Sequence, residues 1–380
     1  MIFSQAVDLI ASTGSAMILL KHPSSSAALA VAPGLVGRVM CSTFDAKAGK
    51  ANAWINKKAL EKGKVDPVFN NFGGEERFWF APEGGPFGLM FGQKKSTFEN
   101  YAVQDGMSTL GYHVAGSDSR SVSMEADMTL RNANETQFSL RVERRISLIE
   151  FCPYASEIPG PVELIAFQSE NVVTNVGTLP WSRKGGTLSM WCLGQFVEHP
   201  RLSVVVPFRS TVGEPPSPPT VDEYFKDFCI GGTFPPDRRV NFDECVVLKA
   251  DGKVRGKIGM KRERATGRLG SYNPNDDHLI IVDHDFYPEL DYATGYWRAY
   301  SGDAFDGDAL SVYIDGPEEV GGPDGLSYEL ETMSPALFLR PGESFGYRNR
   351  TFHLRARREA IEKVSKRFLK ADIAQIDALN

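Results

Sequence analysis

Strict alternation of apolar and polar residues is the feature of this chain that most limits what it can fold into. Between residues 122 and 130 every second position is apolar, and the positions between them are Ser, Glu, Asp and Thr. The same alternation returns in residues 138–142, after the turn-forming sequence Asn-Ala-Asn-Glu at 132–135. Because successive side chains of a β-strand point to opposite faces, each run predicts a strand with one buried face. Together the two runs predict an antiparallel hairpin.

Short apolar segments bounded by Gly, Pro, Asn or Asp recur through most of the chain. They predict further strands at residues 162–167, 187–193, 202–208, 240–249, 279–284, 296–300, 309–314, 327–331, 336–339 and 344–354. Helical periodicity is found mainly at residues 3–13 and 357–369. Many strands with few helices between them favour antiparallel sheets packed face to face. The segment Gly-Glu-Pro-Pro-Ser-Pro-Pro-Thr at 213–220 has strand-like sequence on both sides, so we interpret it as a loop between sheets and predict one all-β domain over residues 1–380.

Composition excludes several classes of partner. The net charge of −6 argues against nucleic acid, which requires a basic surface. No apolar segment reaches the roughly 18 residues of a membrane span, and the first residues lack the basic start of a secretory signal. A cytoplasmic location is therefore the default expectation, with an extracytoplasmic one left open. The five cysteines are odd in number and widely spaced, which indicates neither a zinc site nor a disulfide framework: Cys41, Cys152, Cys192, Cys229 and Cys245. Several of them, Cys41, Cys192 and Cys229, lie in apolar runs, where cysteine packs as a small hydrophobe.

A pair of carboxylates in the C-terminal part is the first candidate for chemistry. The sequence Tyr-Glu-Leu-Glu-Thr-Met-Ser-Pro-Ala begins at Tyr328 and is followed by a Pro-Gly turn at 341–342. As a strand, it places Tyr328 and Leu330 on one face and Glu329 and Glu331 on the other. A carboxylate that is partly buried in such a position can act as a general base.

The second candidate segment is residues 69–85, which combines two glycine pairs with polar and aromatic side chains. Glycine pairs allow the backbone to approach a ligand or another strand closely. A tryptophan offers a flat apolar surface, and Arg, Asn and Glu offer directional hydrogen bonds, a mixture that suits a polyhydroxylated ligand. The alternative is a tight strand-turn-strand unit with an ion pair between Arg77 and a glutamate at its edge.

Three segments resemble the galactose mutarotase-like (aldose 1-epimerase) superfamily, and in particular a branch of it without an assigned reaction. Residues 71–83, Asn-Phe-Gly-Gly-Glu-Glu-Arg-Phe-Trp-Phe-Ala-Pro-Glu, resemble an Asn–Gly-Gly–aromatic segment of that family. Residues 171–177 are similar to the strand before its central catalytic segment, and residues 330–343 resemble the segment with its catalytic glutamate. The resemblance implies a large antiparallel β-supersandwich, with short helices at both ends here, and a reaction at the anomeric centre of a sugar.

By this resemblance, Glu331 corresponds to the general base that takes the proton of the anomeric hydroxyl. The family's histidine acid is replaced by Val176-Gly177, and a second family histidine by Phe72. A carboxylic acid with a raised pKa, or a histidine, could supply the missing proton, which makes Glu83, Glu75 and His353 candidates. His353 would lie near Glu331 if the Pro-Gly turn pairs the strands on either side of it. The alternative for His353 is a strand-end histidine bonded to a backbone carbonyl.

The remaining site residues are expected to bind the sugar: Asn71, Glu75, Arg77, Trp79, Asn175, Trp181, Glu329 and Arg350. Among the other tryptophans, Trp191 and Trp297 could stack on a sugar ring but are more typical of a core, whereas Trp181 lies beside a proline in a predicted loop.

No cofactor is expected. Asp303, Asp306 and Asp308 have a spacing that could offer oxygens to calcium, but Asp-Gly sequences usually form turns.

Three functions remain open at this stage. The first is an enzyme acting on a sugar at its anomeric carbon, with Glu331 as the base. The second is a carbohydrate-binding protein without activity, and the third is a glycoside hydrolase or lyase accessory domain, since paired carboxylates also serve glycoside hydrolysis.

Overall fold

The computed structural model describes residues 1–63, 65–154, 157–158, 160–210, 219–222, 224, 234–235, 237–297, 302–316 and 327–377. Within these residues the strands form three antiparallel sheets of three, ten and five strands. The three-stranded sheet has the order β1-β2-β3, with β1 at Ile18–Lys21, β2 at Ala28–Ala32 and β3 at Arg38–Thr43. It lies beside helix α1, Phe3–Ala11, which buries Phe3, Ala6 and Ile10.

The ten-stranded sheet has the order β11-β12-β10-β14-β15-β18-β8-β7-β6-β5. Its strands are β5 His113–Ser117, β6 Ser121–Arg131, β7 Gln137–Leu148, β8 Glu163–Asn175, β10 Ser203–Pro207, β11 Arg239–Asn241, β12 Cys245–Lys249, β14 Arg268–Asn273, β15 His278–His284 and β18 Ser344–Arg355. The predicted hairpin is confirmed, because β6 pairs with β7 and Leu130 lies opposite Phe138.

The five-stranded sheet has the order β13-β16-β17-β9-β4. Its strands are β4 Arg77–Ala81, β9 Ser189–Val197, β13 Gly256–Lys261, β16 Asp308–Ile314 and β17 Ser327–Met333. The main core lies between this sheet and the ten-stranded sheet and includes Phe78, Leu330, Val312 and Val142. Burial of one such side chain stabilises the fold by about 2 kcal/mol, so the register of each strand is strongly fixed.

The outer face of the ten-stranded sheet is covered at one end by the C-terminal helices. Helix α4 runs over Arg358–Val364, continues as a π-helical turn over Ser365–Leu369, and is followed by a short helix at Ile373–Asp377. Their apolar side chains pack on Leu279, Ile281 and Phe352 of the sheet. Both predicted terminal helices are therefore confirmed, the first ending at Ala11 rather than at residue 13.

Short helices at Lys57–Glu61 (α2) and Asp105–Ser108 (α3), and a 3₁₀ turn at Phe98–Asn100, were not predicted. The side chain of Asn56 caps α2 by accepting a hydrogen bond from the Ala59 N–H at 3.0 Å. With so few apolar positions in one or two turns, such helices leave little periodicity in the sequence.

Three strand predictions differ from the structure. Segment 240–249 is interrupted between β11 and β12, and segment 336–339 forms only one bridge, between Leu337 and Leu188. Of segment 296–300, Tyr296 and Trp297 are not in a strand and the rest lies outside the described residues, as does most of the predicted loop at 213–220. The largest buried cluster draws on residues from Leu20 to Tyr347. The organisation of the chain as one domain stays a prediction.

Cys41 and Cys192 are buried, as their apolar neighbours along the chain predict. Cys152 and Cys245 are buried as well, and Cys229 lies outside the described residues. None of the helices in the described part of the chain has both the length and the apolar character needed to cross a bilayer.

Candidate functional site

The candidate site lies on the face of the five-stranded sheet that points away from the main core. Arg77 of β4 lies opposite Leu193 of β9, and Leu193 lies opposite Glu331 of β17. Paired residues of neighbouring strands share a face, so these side chains point the same way. On the other face, Tyr328 and Leu330 enter the main core. The predicted division of β17 into an apolar face and a carboxylate face is confirmed.

Loops cover this face and leave a cavity of about 140 Å³, which we call cavity A. Its aromatic lining consists of Phe69, Trp79, Tyr101, Trp191, Trp297 and Tyr313, and its charged lining consists of Arg77, Glu83, Arg255, Lys257, Asp315 and Glu329. Because the loops cover the second face, β17 is buried along its whole length, unlike the half-exposed β7.

The aromatic side chains hold one another in place. The ring centroids of Trp79 and Trp191 are 6.0 Å apart in an edge-to-face contact, and Tyr101 stacks on Trp297 at 5.3 Å. Such contacts fix the rings more firmly than area burial alone. The cavity therefore has rigid, flat apolar walls.

Glu331 lies beneath the wall of cavity A rather than in it. Its Oε2 accepts hydrogen bonds from Trp191 Nε1 at 3.0 Å and from Ser311 Oγ at 2.6 Å. Lys257 Nζ lies 2.9 Å from the same oxygen. Glu331 is fully buried, and its Oε1 has no hydrogen-bond partner among the described residues. Lys257 and Trp191, which do line the cavity, separate this carboxylate from it.

Lys257 is the central cation of the site. Its ammonium group lies 3.9 Å from Glu83 and 4.8 Å from the centre of the Trp191 ring. Burial alone lowers the pKa of Lys257, but the charges of Glu331 and Glu83 outweigh it, so that the pKa is raised. Lys257 is therefore a fixed positive charge near neutral pH.

Glu329 is the carboxylate that faces cavity A from β17. It accepts a hydrogen bond from Arg77 at 2.9 Å, and the Arg77 guanidinium lies 4.0 Å from the centre of the Trp79 ring. Burial raises the pKa of Glu329 to about 7, with Arg77 acting in the opposite direction and Glu331 adding to the rise. A carboxyl group with this pKa exchanges protons near neutral pH.

Glu83 faces the same cavity from the loop after β4. It accepts a hydrogen bond from the Tyr101 hydroxyl at 3.2 Å. Burial raises the pKa of Glu83, although Lys257 and hydrogen bonds from Trp297 and Tyr101 lower it in part. Cavity A thus presents two carboxyl groups whose surroundings favour the protonated form.

A third ion pair lies in the lining of the cavity, beside the end of β16. Arg255 lies 3.9 Å from Asp315 and donates a hydrogen bond to the Tyr313 hydroxyl at 2.7 Å. All three cations of the lining therefore have a carboxylate beside them.

The first glycine pair of residues 69–85, Gly73 and Gly74, allows two backbone segments to approach each other closely. Gly73 has a φ of 83°, and a Cβ at this position would overlap the backbone oxygen of Trp54. The glycine pair therefore lets this segment lie against the neighbouring chain. The alternative interpretation of this segment placed an ion pair between Arg77 and a glutamate at its edge; in the structure Arg77 is buried and its partner is Glu329, far along the chain.

The structure brings several of the predicted site residues together. Those that line cavity A are Asn71, Arg77, Trp79, Glu83 and Glu329. Their roles toward a sugar stay predictions.

Other predicted site residues lie elsewhere. His353 would lie near Glu331 if the Pro-Gly turn paired its flanking strands, but β17 and β18 belong to different sheets. His353 of β18 consequently does not line cavity A, and lies beside Glu75 and His278. The strand-end alternative for His353 is also wrong, because the residue is fully buried and its ring contacts are with side chains.

Three predicted sugar-binding residues have structural contacts outside cavity A. Asn175 donates to the backbone oxygens of Leu179 and Leu339, both at 3.0 Å. Trp181 packs edge to face on Phe138, at 5.4 Å between ring centres, and does not line cavity A. Arg350 of β18 pairs with Asp283 at 2.9 Å.

The three aspartates considered for calcium have separate partners. Asp303 lies 3.6 Å from Arg183, Asp306 pairs with Lys261, and Asp308 accepts a hydrogen bond from the Tyr224 hydroxyl at 2.7 Å. Within the described ranges, no three His, Cys, Asp or Glu side chains form a metal-binding group. The expectation that the protein works without a cofactor stays a prediction.

Sequence reasoning missed much of the lining, above all Lys257, Arg255 and Tyr101. Lys257 lies in a Gly-Lys-Ile-Gly-Met-Lys strand, where a lysine between apolar residues is typical of a solvent-facing position. Only the pairing of β13 beside β16 and β17 places it over Glu331. The sequence favours Trp181 over Trp191 and Trp297 as a sugar-stacking residue, whereas in the structure Trp191 and Trp297 line cavity A and Trp181 does not.

Solved structures share this fold. A candidate aldose 1-epimerase from Escherichia coli K12 superposes with a TM-score of 0.53 at 13% identity, covering 90% of this chain and 100% of that one. A galactose mutarotase-like protein from Lactobacillus casei ATCC 334 has a TM-score of 0.51 at 11% identity, with 89% and 100% covered. A protein from Synechocystis sp. PCC 6803 has a TM-score of 0.50 at 13% identity, with 90% and 96% covered. The fold is galactose mutarotase-like, as the sequence resemblance predicts.

No curated protein matches the chain. One family model matches residues 1–380, that is, the whole chain. The chain therefore belongs to the family of unknown function DUF6786.

Proposed function

We propose that the protein acts on a monosaccharide at its anomeric centre, as a mutarotase-like isomerase, and that cavity A is its active site. The observation that carries this proposal is the pair Glu329 and Glu83. Both carboxyl groups border one cavity and both have a raised pKa. Two groups of this kind on either side of a sugar ring can supply the base and the acid that ring opening needs.

The walls of cavity A suit a sugar ring. Trp79, Trp191 and Trp297 offer flat apolar surfaces for its C–H faces, and Asn71 and Gln195 offer amide groups for its hydroxyls. Because each lining cation has a carboxylate beside it, the cavity favours an uncharged sugar over a phosphorylated one. Its small volume favours a single ring over an oligosaccharide, which supports an isomerase over a glycoside hydrolase.

In the proposed reaction, the Glu329 carboxylate takes the proton of the anomeric hydroxyl, and the Glu83 carboxylic acid gives a proton to the ring oxygen. The bond between the anomeric carbon and the ring oxygen breaks, and the open-chain aldehyde forms. Rotation of the aldehyde and reversal of both proton transfers produce the other anomer. Both carboxyl groups return to their starting state, so no further reactant is needed.

Glu331, which the family resemblance makes the base, has a different role in this proposal. Its Oε2 already accepts hydrogen bonds from Trp191 and Ser311 and forms an ion pair with Lys257. We assign it the task of holding Lys257 at the cavity wall, where the ammonium group stabilises negative charge that develops on the substrate. Glu329, two residues earlier on the same face, is the carboxylate in reach of a ligand.

The test is the rate at which the protein equilibrates fresh α-D-glucose or α-D-galactose, followed by polarimetry or NMR. We expect acceleration that falls by about 10²-fold or more in Glu329→Gln and in Glu83→Gln. Glu143→Gln, an exposed position on β7, is the matched control and should retain full activity. If Glu331→Gln abolishes the activity while Glu329→Gln leaves it intact, the assignment of the base returns to Glu331.

A carbohydrate-binding protein without activity is the second candidate, and the missing family histidines favour it. Titration calorimetry separates the two, because this candidate requires sugar binding without any acceleration of mutarotation. If the protein neither binds these sugars nor accelerates their mutarotation, both functions are contradicted.

A further inference from the structure

A second cavity lies on the opposite face of the strands that form cavity A. Gln195 and Glu329 line cavity A, whereas their chain neighbours Phe196 and Tyr328 line the second cavity. The alternation of β9 and β17 therefore separates the two cavities. We call the second one cavity B. It has a volume of about 290 Å³, and His278 of the ten-stranded sheet borders it from the other side.

A chain of three ionisable side chains leads from the interior to cavity B. His278 Nε2 lies 3.0 Å from His353 Nδ1. On the other side of that ring, His353 Nε2 lies 3.2 Å from Glu75 Oε2, and both side chains are fully buried. This last contact has the length of an ion pair, although the N–H bond does not point along the line between the two atoms. The other oxygen of Glu75 accepts a hydrogen bond from the Ser42 N–H.

The position of Glu75 beside Nε2 of His353 indicates where the protons lie. Glu75 favours a proton on His353 Nε2, which leaves His353 Nδ1 as an acceptor for the Nε2–H of His278. Nδ1 of His278 is then without a proton and can accept a hydrogen bond. Burial lowers the pKa of His278 well below its usual value, and His353 and Arg355 lower it further, which keeps the ring neutral. The ring of Phe44 packs on His278 at 5.4 Å, and that of Phe196 on His353 at 5.9 Å, and both shield the chain from water.

Cavity B also holds a hydrogen-bond donor. Glu198 borders it, is 7% exposed, and neither of its carboxyl oxygens has a hydrogen-bond partner among the described residues. Burial raises the pKa of Glu198 to about 9, and the charges of Asp315 and Asp251 add to the rise. The group is therefore a carboxylic acid at neutral pH. Buried polar groups without a partner are rare in folded proteins, and their presence here points to a ligand.

We propose that cavity B binds a small, uncharged polyhydroxylated molecule, with Nδ1 of His278 accepting a hydrogen bond from one hydroxyl and Glu198 donating one to another oxygen. Hydroxyl groups both donate and accept, so a polyol satisfies an acceptor and a donor that share one cavity. The lining of the cavity includes one cation–anion pair, Arg355 and Asp276 at 3.0 Å, whose charges neutralise each other. Lys50 and the N-terminal residue Met1 are exposed and lie at the rim. This site is independent of the function proposed for cavity A.

The test is NMR of histidine ring nitrogens in the full-length protein, assigned with His278→Gln and His353→Gln. Before any ligand is added, both rings should carry their proton on Nε2. Glycerol or D-glucose should then shift Nδ1 of His278 in a saturable manner. His113→Gln, an exposed position on β5, should leave both signals unchanged.

Two variants locate the binding. Glu198→Met removes the donor at similar length and should weaken the effect on His278 at least fivefold, which corresponds to the loss of one hydrogen bond of about 1 kcal/mol. Glu329→Gln changes only cavity A and should leave the titration unchanged, even if it abolishes sugar turnover. The proposal is overturned if His353 carries its proton on Nδ1. It is also overturned if neither glycerol nor D-glucose shifts Nδ1 of His278, or if the shift depends on Glu329 and not on Glu198.

Discussion

Replacement of Lys257 by methionine should destabilise the protein strongly, because it leaves a buried carboxylate without its cation. The Lys257–Glu331 distance is 2.9 Å and both side chains are almost fully buried. At an effective dielectric constant of about 20, two unit charges at this distance attract by roughly 6 kcal/mol. Part of this attraction offsets the cost of removing the ammonium group from water. A net loss of about 3–5 kcal/mol is expected, as for other buried pairs that lose one partner.

The assay is the free energy of unfolding from urea titration at neutral pH. Lys261→Met is the matched control, since Lys261 lies on the same strand but its side chain is 33% exposed and pairs with Asp306 at the surface. An exposed pair of this kind contributes at most about 1 kcal/mol. Glu331→Gln should cost less than Lys257→Met, because Lys257 keeps Glu83 at 3.9 Å.

A double-mutant cycle completes the argument. Once Glu331→Gln has removed the charge, the further change Lys257→Met should cost about 2 kcal/mol less than it does alone. Equal losses for Lys257→Met and Lys261→Met, or strictly additive losses in the cycle, would show that the pair does not stabilise the site as inferred.

Three further changes test other parts of the structure by urea titration. Burial raises the pKa of Glu329 to about 7 in the folded protein, so the unfolded chain releases this proton at lower pH than the folded one. The free energy of unfolding of the wild type should therefore fall relative to that of Glu329→Gln as pH rises from 5 to 8; a difference between the two proteins that does not change with pH would contradict the raised pKa. Gly73→Ala should cost about 2 kcal/mol or more, since its Cβ would overlap the oxygen of Trp54, whereas Gly63→Ala, also at positive φ but with open space around it, should cost about 1 kcal/mol. Trp181→Ala should cost about 3–5 kcal/mol, because Trp181 is buried, and should leave sugar binding unchanged, because Trp181 does not line cavity A; a loss of binding at unchanged stability would restore its predicted role.

The sequence predicts strands and the direction of their side chains best where one face of the strand is exposed to solvent. In β7 buried and exposed residues alternate almost without exception, and the predicted hairpin partner β6 follows directly along the chain. The same rule assigned Glu329 and Glu331 to one face of β17 correctly, although both faces of that strand are buried. Alternation therefore identifies which residues share a face, but not what covers that face.

Long-range pairing is what the sequence left undecided. The five-stranded sheet has the order β13-β16-β17-β9-β4, so Lys257, Glu331 and Arg77 meet through strands that are distant along the chain. Proximity along the chain predicts the pairing of β6 with β7 correctly, but β17 and β18, on either side of the Pro-Gly turn, belong to different sheets. A turn can connect two strands of one sheet or two strands of different sheets. The local sequence does not distinguish these cases, so it does not predict which sheet a strand joins.

The consecutive residues Glu75, Glu76 and Arg77 show why site residues adjacent in sequence need not act together. All three are buried. Glu75 lies beside His353, Glu76 pairs with Arg144 at 2.6 Å in the core, and Arg77 bonds to Glu329 in cavity A. A buried charge needs its own partner, so this one segment connects both cavities and the core between the two large sheets. Substitutions at 75 and 77 should therefore affect different ligands, whereas substitution of Glu76 should affect stability alone.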